Sequence, residues 1–152
     1  MREINDPEDL KALIGTEFGV SDWYQIRQVQ IKQFAQATGD FQWIHLDPER
    51  CEDESPFGKP IAHGYLILSL LPKFFYEVVS FSKAALTINY GLNKVRFTHP
   101  VAVDSNIRAR FTLNDLKELE KGVRIFTQTV FEIQDIERPA CIAESILQIV
   151  WE

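Results

Sequence analysis

From Leu86 onward, apolar and polar residues alternate in one strand-like run after another, and this pattern limits the folds open to the chain most severely. Leu86, Ile88 and Tyr90 interleave with Thr87 and Asn89, and Val95 and Phe97 with Lys94 and Arg96. Ile107, Ala109, Phe111 and Leu113 interleave with Arg108, Arg110, Thr112 and Asn114. Two further strands are expected at Val123–Gln134 and Ala140–Trp151, set apart by turn-like segments at Glu118–Gly122 and Glu137–Pro139. A period of two places each apolar set on one face of an antiparallel sheet, and that face must be covered. The cover at hand is the stretch Ile61–Val79, which follows Pro60, is apolar nearly all round and reads as one buried central helix.

A sheet curled around one long helix is the hot-dog arrangement, an α+β fold, here expected as a single domain over residues 1–152. The first half of the chain supplies shorter elements. Asp6 followed by Pro7 reads as an N-cap with proline at the first helical position, opening a helix that Gly15 stops. Thr16–Val20 reads as a first strand. Between Gln28 and Thr38, the residues Ile31, Phe34, Ala35 and Thr38 fit a helix with one buried stripe, and Gly39 stands where a left-handed cap belongs. Phe41–Pro60 reads as a long irregular segment with a turn of helix at Pro48–Glu52, and its aromatic residues predict that it is packed.

Composition removes several classes of function. Sixteen basic against 22 acidic residues give a net charge of −6, which argues against a nucleic-acid surface. The Ile61–Val79 stretch holds His63, Ser69, Pro72, Lys73 and Glu77, too polar a set for a membrane span. Met1–Leu10 lacks the basic flank and apolar region of a secretory signal. Cys51 and Cys141 follow no pairing pattern, so reduced thiols in the cytoplasm are expected. Neither His-x-x-x-His nor paired Cys-x-x-Cys occurs, so no metal centre is expected at His63 or His99.

Chemistry concentrates in the segment from Gly39 to His45. On one continuous helix, Asp40 and His45 would lie about 140° apart around the axis and could not converge. A break at Gly39 lets the segment fold into a loop that brings carboxylate and imidazole to one water. The plainer alternative is that Asp40 caps a turn and His45 packs in the core. Gly64 falls in the first turn of the central helix, where amides lack intrahelical acceptors and can polarise a carbonyl oxygen. A glycine there equally permits close packing against a strand.

The run Thr38-Gly39-Asp40-Phe41-Gln42-Trp43-Ile44-His45-Leu46-Asp47-Pro48, followed by Pro60-Ile61-Ala62-His63-Gly64, resembles the signature of the MaoC-like dehydratases, which include the (R)-specific enoyl-CoA hydratases. Asn89-Tyr90-Gly91-Leu92-Asn93-Lys94-Val95-Arg96-Phe97, followed by Pro100-Val101, is similar to the same family and points to its nodulation protein N-like branch. Gln42 and Trp43 depart from the asparagine and proline that many members carry, which bears on local hydrogen bonds and on acyl length. The resemblance implies that Asp40 and His45 hold the water added to a trans-2-enoyl thioester. It implies that the Gly64 amide meets the thioester oxygen, with Gln42 and His63 completing the substrate-binding set. It also implies an acyl-CoA substrate, no cofactor and a homodimer. The alternatives are a dehydratase acting on acyl carrier protein thioesters, a thioesterase and a non-catalytic acyl-binding module.

Overall fold

The computed structural model describes residues 1–151. A short strand β1 (Arg2–Glu3) leads into helix α1 (Pro7–Lys11), where the Asp6 carboxylate accepts from the Glu8 and Asp9 amides. The helix ends four residues before Gly15, which instead takes a φ of 81° in the following turn and donates its amide to Leu113. Strands β2 (Glu17–Val20) and β3 (Tyr24–Gln25) follow. Helix α2 (Gln28–Thr38) has the expected bounds and ends on Gly39 at φ 78°, a left-handed cap that a Cβ would strain. Ile31 and Ala35 are buried and Phe34 partly so, but Thr38 is exposed. Its hydroxyl donates back to the Phe34 carbonyl at 2.7 Å, a local bond that satisfies it without burial.

The segment from Phe41 to Pro60 carries more helix than its sequence suggests, in α3 (Trp43–Leu46) and α4 (Pro48–Glu54). Asp47-Pro48 opens α4 as Asp6-Pro7 opens α1, with the Asp47 carboxylate accepting from the Arg50 amide at 3.0 Å. Buried Cys51 turns back toward the Trp43 and Ile44 carbonyls and ties the two helices together.

The stretch expected as one helix over Ile61–Val79 divides into three parts. Ile61–His63 is extended, with Ile61 bridged to Ala102, the Ala62 amide donating to Val101 and the Val103 amide to Pro60. Helix α5 (Gly64–Ser69) then starts at Gly64, and α6 (Leu71–Val78) resumes after a break at Leu70. Pro72 explains the break: it has no amide hydrogen for the Leu68 carbonyl, and its ring clashes with that carbonyl in a continuous helix. Nor is the pair apolar all round. Tyr65, Ser69, Lys73 and Tyr76 form an exposed stripe, while Ile67, Leu71, Phe74, Phe75 and Val78 are buried.

A two-residue strand β4 (Val79–Ser80) pairs with β1, and β5 (Leu86–Phe97), β6 (Asn106–Leu119), β7 (Gly122–Ile133) and β8 (Ile136–Val150) complete the sheet. Its order is β2-β6-β7-β8-β5, with β3 also on β6 and every neighbour antiparallel. The α+β hot-dog arrangement is thus present, with the helix pair packed on the inner face. In β6 the expected residues Ile107, Ala109, Phe111 and Leu113 are all fully buried.

Of the two expected turns, one falls where it was read and is tight, and the other is displaced. The first is a two-residue loop at Glu120–Lys121, since Leu119 pairs with Gly122. The second reverses at Gln134–Asp135, with Asp135 at φ 61°, so Glu137–Pro139 lies within β8 rather than forming the turn. Aspartate tolerates the left-handed region that a tight hairpin requires, and Pro139 sits where the β7–β8 register shifts, a place a proline can occupy.

The largest difference from expectation is β5. The two short strands read there are one, continuous through two bulges, and it forms an edge exposed on both faces. Leu86, Ile88, Tyr90, Leu92 and Phe97 are all more than 40% exposed.

Phe75 illustrates how the helix holds the sheet. Its ring lies 5.5 Å from that of Phe111 and 6.1 Å from that of Phe18, each at a steep angle. Phe75→Ala is expected to cost about 3–5 kcal/mol in urea unfolding. Tyr76→Ala, one residue on and 45% exposed, is expected to cost no more than about 1 kcal/mol.

Candidate active site

Three chain segments meet at one end of α5. The left-handed cap at Gly39 turns the chain out of α2, so Asp40 leaves the helix axis and the following residues wind into α3. His45 lies in the last turn of α3, is 6% exposed and is oriented by a bond from its Nδ1 to the Ile61 carbonyl at 2.7 Å. Because a carbonyl accepts, Nδ1 carries the hydrogen and Nε2 presents its lone pair. Two other contacts fix the surrounding backbone. The Gln28 side chain donates to the His45 carbonyl at 2.8 Å, and the Ile61 amide donates to Ile44 at 3.0 Å.

Burial is the main influence on the His45 ring and lowers its pKa below the ordinary imidazole value of 6.5. The Ile61 bond opposes that shift, neighbouring His63 adds to it, and Asp40 opposes it. The net direction is downward, so the ring is neutral and its free nitrogen can accept a hydrogen near pH 7.

Asp40, His45 and His63 form one cluster. A carboxylate oxygen of Asp40 and a ring nitrogen from each histidine all lie within 4.8 Å of one another. Two hydrogen bonds of about 2.8 Å from one water, opened to near the tetrahedral angle, span about 4.6 Å. The separation therefore suits an acid and a base sharing a water. The Asp40 side chain remains about half exposed, and its second oxygen accepts weakly from the Gln42 amide at 3.3 Å. The plainer role considered for Asp40, capping a turn, is thus present.

The same three residues are a poor fit to a metal ion. The His45 and His63 rings are stacked, 3.8 Å between centroids and 26° from parallel, so their in-plane lone pairs run side by side and do not converge. One nitrogen of each is already committed to a carbonyl.

Gly64 lies beside His45 in the wall of a cavity of about 270 Å³, lined further by Ile61, Ile67, Phe97, Thr98 and Val101. The His63 carbonyl takes the amides of Leu66 and Ile67, while the Gly64 amide finds no acceptor among the described residues. Glycine is also required sterically, because a Cβ at this position would come within 2.9 Å of the Phe97 ring. The acceptor-free amide and the close packing read from the sequence for a glycine here are both present. Gln42 stands apart: its backbone caps α3, but its side chain is exposed and not part of the cavity wall. His63 is 2% exposed and faces Asp40 and His45, also outside the cavity wall. His99, given no role by the sequence, also lines the cavity, with its Nδ1 turned to its neighbour's carbonyl.

Four contributors to the site are given no site role by the sequence. The Ile61 carbonyl and the Gln28 side chain orient His45, Phe34 backs His63 at 5.0 Å between ring centroids, and Phe97 roofs Gly64. A backbone acceptor and a packing ring have no motif. Gln28 alone offered a hint, as a polar residue at the start of α2 on the turn that faces α3.

The sequence family described as the MaoC like domain matches residues 9–134. The 3-hydroxyacyl-thioester dehydratase Z of Mycobacterium tuberculosis (strain ATCC 25618 / H37Rv) is 45% identical over 151 residues, covering 99% of each chain. Nodulation protein N of Rhizobium meliloti (strain 1021) is 41% identical over 140 residues, covering 91% of this chain and 87% of that one. Among solved structures, the unliganded R-hydratase PhaJ1 of Pseudomonas aeruginosa superposes with a TM-score of 0.74 at 23% identity, over 91% of this chain and 83% of that one, a likeness of fold. Taken with a domain match that spans most of the sequence, these relatives show that the protein belongs to the MaoC-like dehydratase family.

Proposed function

We propose that the protein is an (R)-specific enoyl-CoA hydratase, adding water reversibly to trans-2-enoyl-CoA to give (R)-3-hydroxyacyl-CoA. The observation that carries this reading is the Asp40–His45 pair, within 4.8 Å and beside a cavity walled by Gly64. A water that donates one hydrogen to the Asp40 carboxylate and the other to His45 Nε2 has its lone pairs left to face C3 of the substrate. As the oxygen–C3 bond forms, the C2=C3 electrons move toward the thioester oxygen. The Gly64 amide stabilises that charge most in the transition state, where it is largest. One of the two acceptors takes a water proton and the same pair delivers a proton to C2. Atoms and charge balance with water as the sole co-reactant, and no cofactor is part of this reading. The (R) outcome follows the family resemblance.

The reverse reaction uses the same groups, and the name of the M. tuberculosis relative describes that direction. A dehydratase acting on acyl carrier protein thioesters is therefore the neighbouring alternative. A thioesterase is disfavoured, because the carboxylate it needs on the central helix is absent from the cavity. Glu77, the acid of α6, pairs with Lys73 and lies against Phe18 and Gly19, away from His45.

A homodimer completes the proposal. The edge of β5 leaves its apolar residues uncovered and its outer ladder unpaired among the described residues, a surface that natural sheets rarely leave open. Phe97 belongs both to this edge and to the cavity wall, so a second copy seated on β5 would lie next to the acyl site. No described helix is long and apolar enough to cross a membrane. The cytoplasm is the compartment we infer, in keeping with two buried free thiols at Cys51 and Cys141.

Three outcomes are expected. With crotonyl-CoA, the wild type should consume the enoyl-thioester absorbance without releasing free CoA, and Asp40→Asn and His45→Gln should each lose at least ~10²-fold in kcat/KM. Free CoA would favour a thioesterase, and no turnover of any enoyl thioester would leave a binding module. Because the His45 pKa lies below 6.5 and the neutral ring accepts the water, kcat/KM should be level just above that pH and fall as pH drops below it. An acid limb centred above 6.5 contradicts this. In sedimentation velocity the 17.6 kDa chain should run as two copies, and Ile88→Lys should shift it toward one.

A further inference from the structure

We infer that His63 is a positioning residue that holds Asp40 and His45 in mutual register, rather than a contact to substrate. This rests on the hydratase reading of the Asp40–His45 pair and adds to it a division of labour. The ring is 2% exposed and is held on three sides. Its Nε2–H donates to the Asp40 carbonyl at 3.0 Å. One face stacks on His45 at 3.8 Å between centroids, and Phe34 of α2 packs nearby at 5.0 Å. Its backbone is the N-cap of α5, one residue before Gly64. One imidazole thus touches both members of the pair, on a residue whose backbone carbonyl caps the helix that begins at Gly64.

Asp40 needs such a support. Its carboxylate is about half exposed, and local bonds alone attach its neighbours: the Gly39 amide to Ala35 at 2.8 Å and the Gln42 amide to the Asp40 side chain at 3.3 Å. The bond from His63 is the long-range tie on this turn, spanning 23 residues. Without it, the carboxylate hangs from a helix end on a glycine hinge, free to leave the distance at which it shares a water with His45. The Nε2 hydrogen of His63 is committed to the Asp40 carbonyl and its Nε2 stands 3.9 Å from the Asp40 carboxylate, while its Nδ1 is buried with no partner among the described residues.

Two substitutions separate the two contacts. His63→Gln keeps an N–H donor near the place of Nε2 and gives up the stacked ring. His63→Phe keeps a ring against His45 and gives up the donor. In the full chain with crotonyl-CoA, His63→Phe is expected to lower kcat by about 10–100-fold with KM within about twofold, the scale of a misplaced catalytic group. His63→Gln is expected to recover most of that loss. Amide hydrogen exchange supplies a measure independent of turnover. Gly39 and Gln42 should exchange about tenfold faster in His63→Phe and at the wild-type rate in His63→Gln, with the β6–β8 amides unchanged in both.

A rise in KM with kcat intact in both variants assigns His63 to substrate and overturns the inference. So does unchanged exchange at Gly39 and Gln42, or acceleration spread evenly over the whole chain. A wild type inert toward enoyl thioesters, with the local exchange pattern as expected, overturns the hydratase reading and leaves the positioning role standing.

Discussion

The bond from His45 Nδ1–H to the Ile61 carbonyl is the contact on which the rest of the site depends. It decides which ring nitrogen is free, and it does so in a place with little water to compete for the donor. It also joins two parts of the chain that no secondary structure connects, the winding segment after α2 and the extended approach to α5. The Ile61 amide answers with its own bond to Ile44, so the two segments are laced in both directions. The approach to α5 is in turn fastened to residues 101–103, which connect β5 to β6. The imidazole is thereby referenced to the sheet itself and not to a free loop.

Much of this was legible in the residues. Alternation in β6, β7 and β8 marks the buried faces correctly because those strands lie in the interior of the sheet and one side must be dry. Gly39 marks the end of α2 because a left-handed cap is a local requirement that local sequence can state. Asp40, His45 and Gly64 stood out by residue type and spacing, and the fold brings all three to one end of α5. What could not be read depends on partners distant in sequence. The apolar run predicts a helix from Ile61, yet Ile61–His63 is held extended by residues 101–103, a tertiary claim that outweighs its apolar character. Thr38 fits the helical period, but position in the period does not say that its hydroxyl is satisfied locally and left in water.

The edge strand exposes a different limit. Alternation in β5 resembles that of its neighbours, although apart from Phe97, whose ring packs against Tyr65 and Gly64 of α5, its large apolar side chains stay exposed. Residue pattern reports that a surface avoids water. It does not report whose atoms cover it. The outward cation–π contact of Arg124 over Tyr90, 3.6 Å from the ring centroid, shelters a small part of that surface and leaves the remainder open.

The interruption at Leu70, set by Pro72, divides the central helix by duty. The short first piece begins at Gly64, whose amide has no acceptor among the described residues, and the second carries Phe74 and Phe75, which fill the interior. An unbroken rod would transmit any repacking at its far end along the axis to Gly64. A jointed one absorbs such shifts at the joint, so side chains of α6 can be exchanged for others of similar volume while Gly64 keeps its place beside His45. A lineage built on this hinge can trade robustness and reactivity on separate accounts.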